Sequence, residues 1–198
     1  DSVGESISPA QDSHQPINVD IGWAEDRMAI LDIVHAPAKV LSAIARPVRE
    51  DEFGPALTKL ASDMAETMYA APGVGLAAPQ IGDSRRIVVI DSGSGEEKGR
   101  RLFKMVNPTI VERSDERINW DETCLSVPDL EVRKDRSNVV RVTWQQPDGT
   151  ARDETFKEFE AVIVQHELDH LDGIVLLDVV SNLKRRRYIK RQKKLGLL

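Results

Sequence analysis

Cysteine is almost missing from this chain. Its 198 residues contain one, Cys124, so no intrachain disulfide can form, which fits a reducing compartment. No apolar run is long enough to span a bilayer. No secretory signal pattern opens the chain, because residues 1–27 are polar and acidic. That stretch carries Asp1, Glu5, Asp12, Asp20, Glu25 and Asp26 against a lone Arg27, which argues against an arginine-rich organelle transit peptide. Cytoplasm is the expected location, an organelle less so, with no membrane partner. Internal repeats are absent. Strands and helices do not alternate regularly, which favours an α+β fold over a doubly wound sheet.

The charge that is present is unevenly placed. The chain is acidic overall, at −6, yet Lys184 to Lys194 holds eight cations and no anion. A basic end on an acidic body points to a local contact with a polyanion, not to general or sequence-specific nucleic-acid binding. Residues 1–27 show neither helical nor strand periodicity and read as a flexible acidic extension. Met28-Ala29-Ile30-Leu31 looks like a natural start, which would make part of 1–27 vector-derived. Residues 28–198 then form a single domain with a basic C-terminal helix.

Apolar residues at Leu57, Leu60, Ala61, Met64, Ala65 and Met68 recur three or four apart, predicting a helix over 53–71. Pro55 suits its first turn and Pro72-Gly73 its end. A glycine-rich loop (73–82) follows, then strands over 86–91 and 102–106 around a polar loop at 92–99. Pro147-Asp148-Gly149 marks the turn of a hairpin over 138–144 and 150–156. A second helix is expected over 159–171, ending near Gly173. Ser181 or Asn182 would cap a third that carries the basic run.

The strongest chemical signal is His166-Glu167-Leu168-Asp169-His170. On a helix the two histidines lie about 40° apart and one turn up, so both rings can close on one ion. Glu167 points to one side, where it can reach a water at that ion. Val162, Ile163, Val164, Leu168 and Leu171 flank the motif and make the helix mostly buried, where unpaired histidines would be costly. A catalytic site of this kind needs a third protein ligand. Downstream there is no histidine, and Asp172 and Asp178 are the nearest acids. Upstream, Cys124 is the attractive candidate, in a stretch over 121–128 that reads as loop-like. An inert buried cysteine is the plainer reading of Cys124 taken alone. A thiolate ligand would favour Fe(II), Zn(II), Ni(II) or Co(II) over Mg(II).

The loop with Gly73, Gly75 and Gly82 is not a phosphate-binding loop, since no Lys-Ser/Thr follows. It is either a tight turn or a backbone lying close to an extended substrate, with the Gln80 amide aimed at a developing oxyanion.

Three ordered segments, Gly73-Val74-Gly75-Leu76-Ala77-Ala78-Pro79-Gln80, Glu122-Thr123-Cys124-Leu125-Ser126 and Gln165-His166-Glu167-Leu168-Asp169-His170, resemble those of the peptide deformylases. The resemblance runs from about Ile30 to the C terminus. It implies small antiparallel sheets packed around a central helix that carries the two histidines, with a C-terminal helix after it. It implies one divalent metal ion on Cys124, His166 and His170, Fe(II) in the family's natural state, with Zn(II), Ni(II) or Co(II) as substitutes. Glu167 would be the general base and then the general acid, and Gln80 and the Leu125 N–H would hold the oxyanion. Gly75 would anchor the substrate backbone. Val74, Leu125, Val162, Ile163 and His166 would line the pocket for the first side chain. The implied substrates are N-formylmethionyl peptides, and some bacterial members dock on the ribosome through the C-terminal helix. The family usually has glycine where this chain has Thr123. A positive φ there would strain threonine, and its side chain could crowd the substrate groove.

Three other readings compete. A zincin-type peptidase would cut unmodified chains. A cysteine hydrolase would use Cys124 as nucleophile without metal. A non-catalytic metal-bound protein would bind the ribosome without turnover.

Overall fold

The computed structural model describes residues 29–93 and 95–196. The acidic stretch 1–27, expected to be an extension, lies outside the described residues. Helix α1 (Pro55–Ala70) buries Leu57, Ala61, Met64, Ala65 and Met68 along one face, as the spacing predicts. Pro55 sits in its first turn, and beyond Pro72 the Gly73 N–H donates to the Met68 carbonyl at 2.9 Å.

Five strands form one antiparallel sheet: β1 (Gly75–Ala77), β2 (Ile87–Asp91), β3 (Leu102–Arg113), β6 (Val139–Gln145) and β7 (Ala151–Lys157), in the order β1-β2-β3-β6-β7. Strands β4 (Arg117–Cys124) and β5 (Val127–Ser137) pair separately as a long hairpin. Helices α2 (Glu158–Leu171) and α3 (Asn182–Lys194) follow. The fold is thus mixed, with small antiparallel sheets and three α-helices among the described residues.

Strand β2 is buried throughout, and its alternating side chains divide the interior. Val88 and Ile90 pack with Ile163, Val164, Leu168 and Leu171 of α2. Ile87 and Val89 pack with Leu57, Met64 and Met68 of α1. An antiparallel strand buried on both faces reads as an unbroken apolar run, as Ile-Val-Val-Ile does here. Phe156 of β7 is fully buried and meets Phe103 edge-on at 5.1 Å. A third cluster joins Cys124, Val127 and Leu130 of the hairpin to Leu176, Leu177 and Tyr188 of the C-terminal segment. The Ser181 hydroxyl caps α3 by accepting from the Lys184 N–H at 3.3 Å.

Several sequence expectations are corrected. The stretch over 121–128 is not a loop: β4 runs to Cys124 and β5 starts at Val127, with Cys124 paired to Val127 across a two-residue turn. Its buried positions mix polar Glu122 and Ser126 with Cys124 and Val127, so no apolar alternation gives warning of a strand. Strand β3 continues past residue 106 to Arg113, through a bulge at which Asn107 adopts φ 52° and its side chain bonds both backbone groups of Val48. The glycine-rich loop contains the short strand β1 and a single 3-10 turn over Ala78–Ile81.

Gly173 follows α2 with φ 74°, and a Cβ there would lie 2.9 Å from the backbone carbonyl of Ser42. Gly173→Ala therefore combines a left-handed alanine with a backbone clash. It should cost about 1–3 kcal/mol, read as a lower urea midpoint at unchanged slope.

Candidate active site

Strand β4 presents alternate residues to one side, so Glu122 and Cys124 both turn inward while Thr123 faces out. Helix α2 presents Val162, Ile163, His166 and Glu167 to the same space, three and four residues apart. Val74 and Gly75 of the β1 segment, Gln80, and Leu125 at the hairpin turn complete the wall of a cavity of about 540 Å³. Every substrate-side residue expected from the sequence therefore faces one cavity.

At its floor three ligand atoms converge. Cys124 Sγ lies 3.3 Å from His170 Nε2, which lies 3.2 Å from His166 Nε2. Donor atoms of the three residues all fall within 4.8 Å of one another. Tetrahedral zinc-like geometry requires ligand separations of about 3.3–3.6 Å at ordinary bond lengths, so a metal ion fits with little adjustment. His166 Nδ1 lies 2.8 Å from Glu122 Oε2, a contact that orients the ring and aims Nε2 at the centre. Burial opposes charge on His166, but hydrogen bonds to Cys124 and Glu122 outweigh it and push its pKa up to about 10. Burial, with the neighbouring His166, lowers His170 well below the usual imidazole range.

Glu122 is the residue that sequence reasoning passed over. Its carboxylate is 4% exposed, accepts from Arg136 Nε at 2.7 Å and Nη2 at 2.9 Å, and also holds His166. Arg136 in turn lies 2.9 Å from Asp169, which also pairs with Lys134 at 2.8 Å. Gln165 adds a second tie: its amide accepts from the Ser137 N–H and donates to the Ser137 carbonyl. The hairpin is thereby fastened to α2 on both sides of the ligand cluster. The signal that could have found Glu122 is its position two residues before Cys124, which shares a face only if the segment is a strand.

Glu167 is 4% exposed, and its Oε2 has no hydrogen-bond partner among the described residues. Burial raises its pKa from 4.5 to about 7. Its Cδ and Cγ lie so close to Gly75 that a Cβ there would meet them at 2.7 and 2.8 Å. Gln80 is fixed by accepting from the Ala77 N–H at 2.8 Å, which turns its Nε2 toward Ser126 Oγ at 3.2 Å and Cys124 Sγ at 3.7 Å. Thr123 is not among the residues with positive φ, so the feared strain is absent. The residue is exposed and its strand position still borders the cavity.

The family model for polypeptide deformylase matches residues 30–186. This chain belongs to the polypeptide deformylase family. The peptide deformylase of Brucella suis is 42% identical over 170 residues, covering 85% of this chain and 95% of that one. A crystal structure of a peptide deformylase from Legionella pneumophila superposes with a TM-score of 0.76 at 38% identity, covering 85% of this chain and 98% of that one. The Met-Ala-Ser-bound class I type b peptide deformylase from Acinetobacter baumannii gives 0.73 at 34%, covering 78% and 100%. Peptide deformylases are metal-dependent enzymes that remove the N-formyl group from nascent peptides. No helix among the described residues is long and apolar enough to cross a membrane.

In the metal-free protein, burial opposes ionisation of Glu122, but hydrogen bonds from His166 and Arg136 prevail and hold its pKa near about 2 instead of 4.5. Its stabilisation is therefore present above pH 4.5 and lost as pH falls through about 2. Glu122→Gln should cost about 3 kcal/mol at neutral pH, the low end for a broken buried pair because Asp169 still holds Arg136. The gap to wild type should narrow steadily on acidification in urea unfolding across a pH series.

Proposed function

We propose that Cys124, His166 and His170 hold one divalent ion, Fe(II) in the natural protein with Zn(II), Ni(II) or Co(II) as substitutes, and that Glu167 moves the protons of deformylation. The substrate is the N-terminal formylmethionine of newly made proteins, and formate is released. The observation that carries this reading is a buried, unpartnered carboxylate beside three converging metal-type ligands. A bound divalent cation supplies Lewis acidity, easing deprotonation of water and drawing charge onto a carbonyl oxygen.

The chain's own groups do the rest. Strand β1 forms one edge of its sheet, so Gly75 offers its backbone to an extended peptide. That the related Acinetobacter enzyme was solved with Met-Ala-Ser bound supports a peptide as the ligand. Val74, Leu125, Val162 and Ile163 receive the methionine side chain. Glu167 accepts a proton from water as its oxygen attacks the formyl carbon. The Gln80 amide and the Leu125 N–H donate to the oxyanion that develops. The carbon–nitrogen bond then breaks, Glu167 returns the proton to the leaving amine, and formate departs. A carboxylate with pKa about 7 suits both directions of transfer at neutral pH. We assign residues 28–198 to a single catalytic domain centred on α2 and place the enzyme in the bacterial cytoplasm. The ribosome is its docking partner through α3, whose Tyr188 and Gln192 are buried while its cations face outward.

Glu167→Ala should lower formate release from formyl-Met-Ala-Ser by at least about 10²–10⁴-fold while metal content is retained. Unchanged turnover overturns the assignment. Chelation should also stop turnover, whereas a Cys124 nucleophile would survive it. Gly75→Ala should lower kcat by about 10²-fold, because the added methyl displaces the Glu167 carboxylate by roughly an ångström.

A further inference from the structure

Ser126 belongs to the second of the three motif segments, yet the proposed chemistry leaves it without a role. It is fully buried in the two-residue turn between Cys124 and Val127. Its hydroxyl oxygen lies 3.2 Å from Gln80 Nε2. That nitrogen carries two hydrogens, and a second acceptor, Cys124 Sγ, stands at 3.7 Å. Gln80 Oε1 is already committed to the Ala77 N–H at 2.8 Å. A single bond at Oε1 would leave the amide free to rock about that contact. The bond to Ser126 at the other end turns the pivot into a fixed plane. The main chain is held at the same two residues. The Gln80 carbonyl accepts from the Val34 N–H at 2.7 Å, and the Ser126 carbonyl accepts from the Ala36 N–H at 2.9 Å. Those two donors are two residues apart, so they lie within about 7 Å of each other. One short segment thus spaces Gln80 from the hairpin turn.

We infer that Ser126 is a positioning residue for the oxyanion donors. This rests on the deformylase reading of the site. The Ser126 hydroxyl takes one hydrogen of the Gln80 amide, which leaves the other directed at the ligand cluster. The resting acceptor there is a sulfur at long range, a weak partner. A charged oxygen developing on the formyl carbon is a far stronger acceptor for the same hydrogen, and it takes that hydrogen with no rotation of the amide. Donors that need no reorganisation are the ones that stabilise a transition state most. The second expected donor, the N–H of Leu125, belongs to the residue beside Ser126 in the turn. The Ala36 bond therefore steadies both donors at once. Alanine at position 126 would leave a buried amide hydrogen without its partner, and the Gln80 side chain would turn to find another.

The test is a double-mutant cycle on metal-loaded protein, read as formate release from formyl-Met-Ala-Ser. Gln80→Ala should lower kcat by about 10²-fold, the loss of one oxyanion donor. Ser126→Ala should lower kcat by about 10-fold, the effect of a donor kept but misaimed, with KM within about two-fold of wild type and metal content retained. In the Gln80→Ala background the same change should alter kcat by less than about two-fold, because the two residues act as one unit. A purely structural serine would cost the same factor in both backgrounds. A second readout needs neither turnover nor metal. Solvent exchange of the Gln80 side-chain amide protons, followed by NMR in metal-free protein, should be at least about 10-fold faster in Ser126→Ala. Wild-type kcat in Ser126→Ala, equal losses in the two backgrounds, or unchanged exchange overturns the inference and leaves the deformylase reading standing. Metal-loaded wild-type protein that releases no formate overturns both.

Discussion

Glu122 must be charged to hold Arg136 and His166 together, and it must be buried to hold them where they are. Those two demands conflict, because an ion removed from water pays heavily unless its partners are well placed. Here they are: two arginine nitrogens and one imidazole nitrogen surround one carboxylate. The outcome is that the β4–β5 hairpin and α2, separate in sequence, are locked in a single register. The ligand triangle exists because of that lock. Cys124 reaches the histidines only while the hairpin is seated on the helix, and His166 offers the correct nitrogen only while Glu122 holds the other.

Around this polar joint the apolar layers do a different job. Strand β2 lies between α1 and α2, and its two faces give each helix its own set of partners. This fixes β1, paired to β2 through Gly75 and Ile90, as an edge next to α2. The cleft between that edge and the hairpin is thus a by-product of two packing solutions, one hydrophobic and one ionic, that meet at α2.

The parts of the fold visible from sequence are those whose pattern is apolar. Helix α1 shows itself through Leu57, Met64 and Met68, and the hairpin of β6 and β7 through its Pro-Asp-Gly turn. The two histidines were legible as a pair because helix geometry alone brings them together. The β4–β5 hairpin was not, since its buried positions mix Glu122, Ser126, Arg136 and Ser137 with Cys124, Val127 and Leu130, a pattern without regular apolar alternation. Cys124 could be proposed as a ligand by its rarity and by resemblance, but its meeting with the histidines depends on tertiary contacts that no local spacing encodes. The stacking of Trp120 on Phe159 was hidden for a similar reason: it joins residues 39 positions apart.

The edge offered by β1 is only three residues long. Such an edge can read about 10 Å of a partner backbone, and it reads amide groups, which are the same in every polypeptide. An enzyme built this way is strict about how a chain begins and indifferent to how it continues, so one active site can serve a proteome whose members share little beyond their first residue.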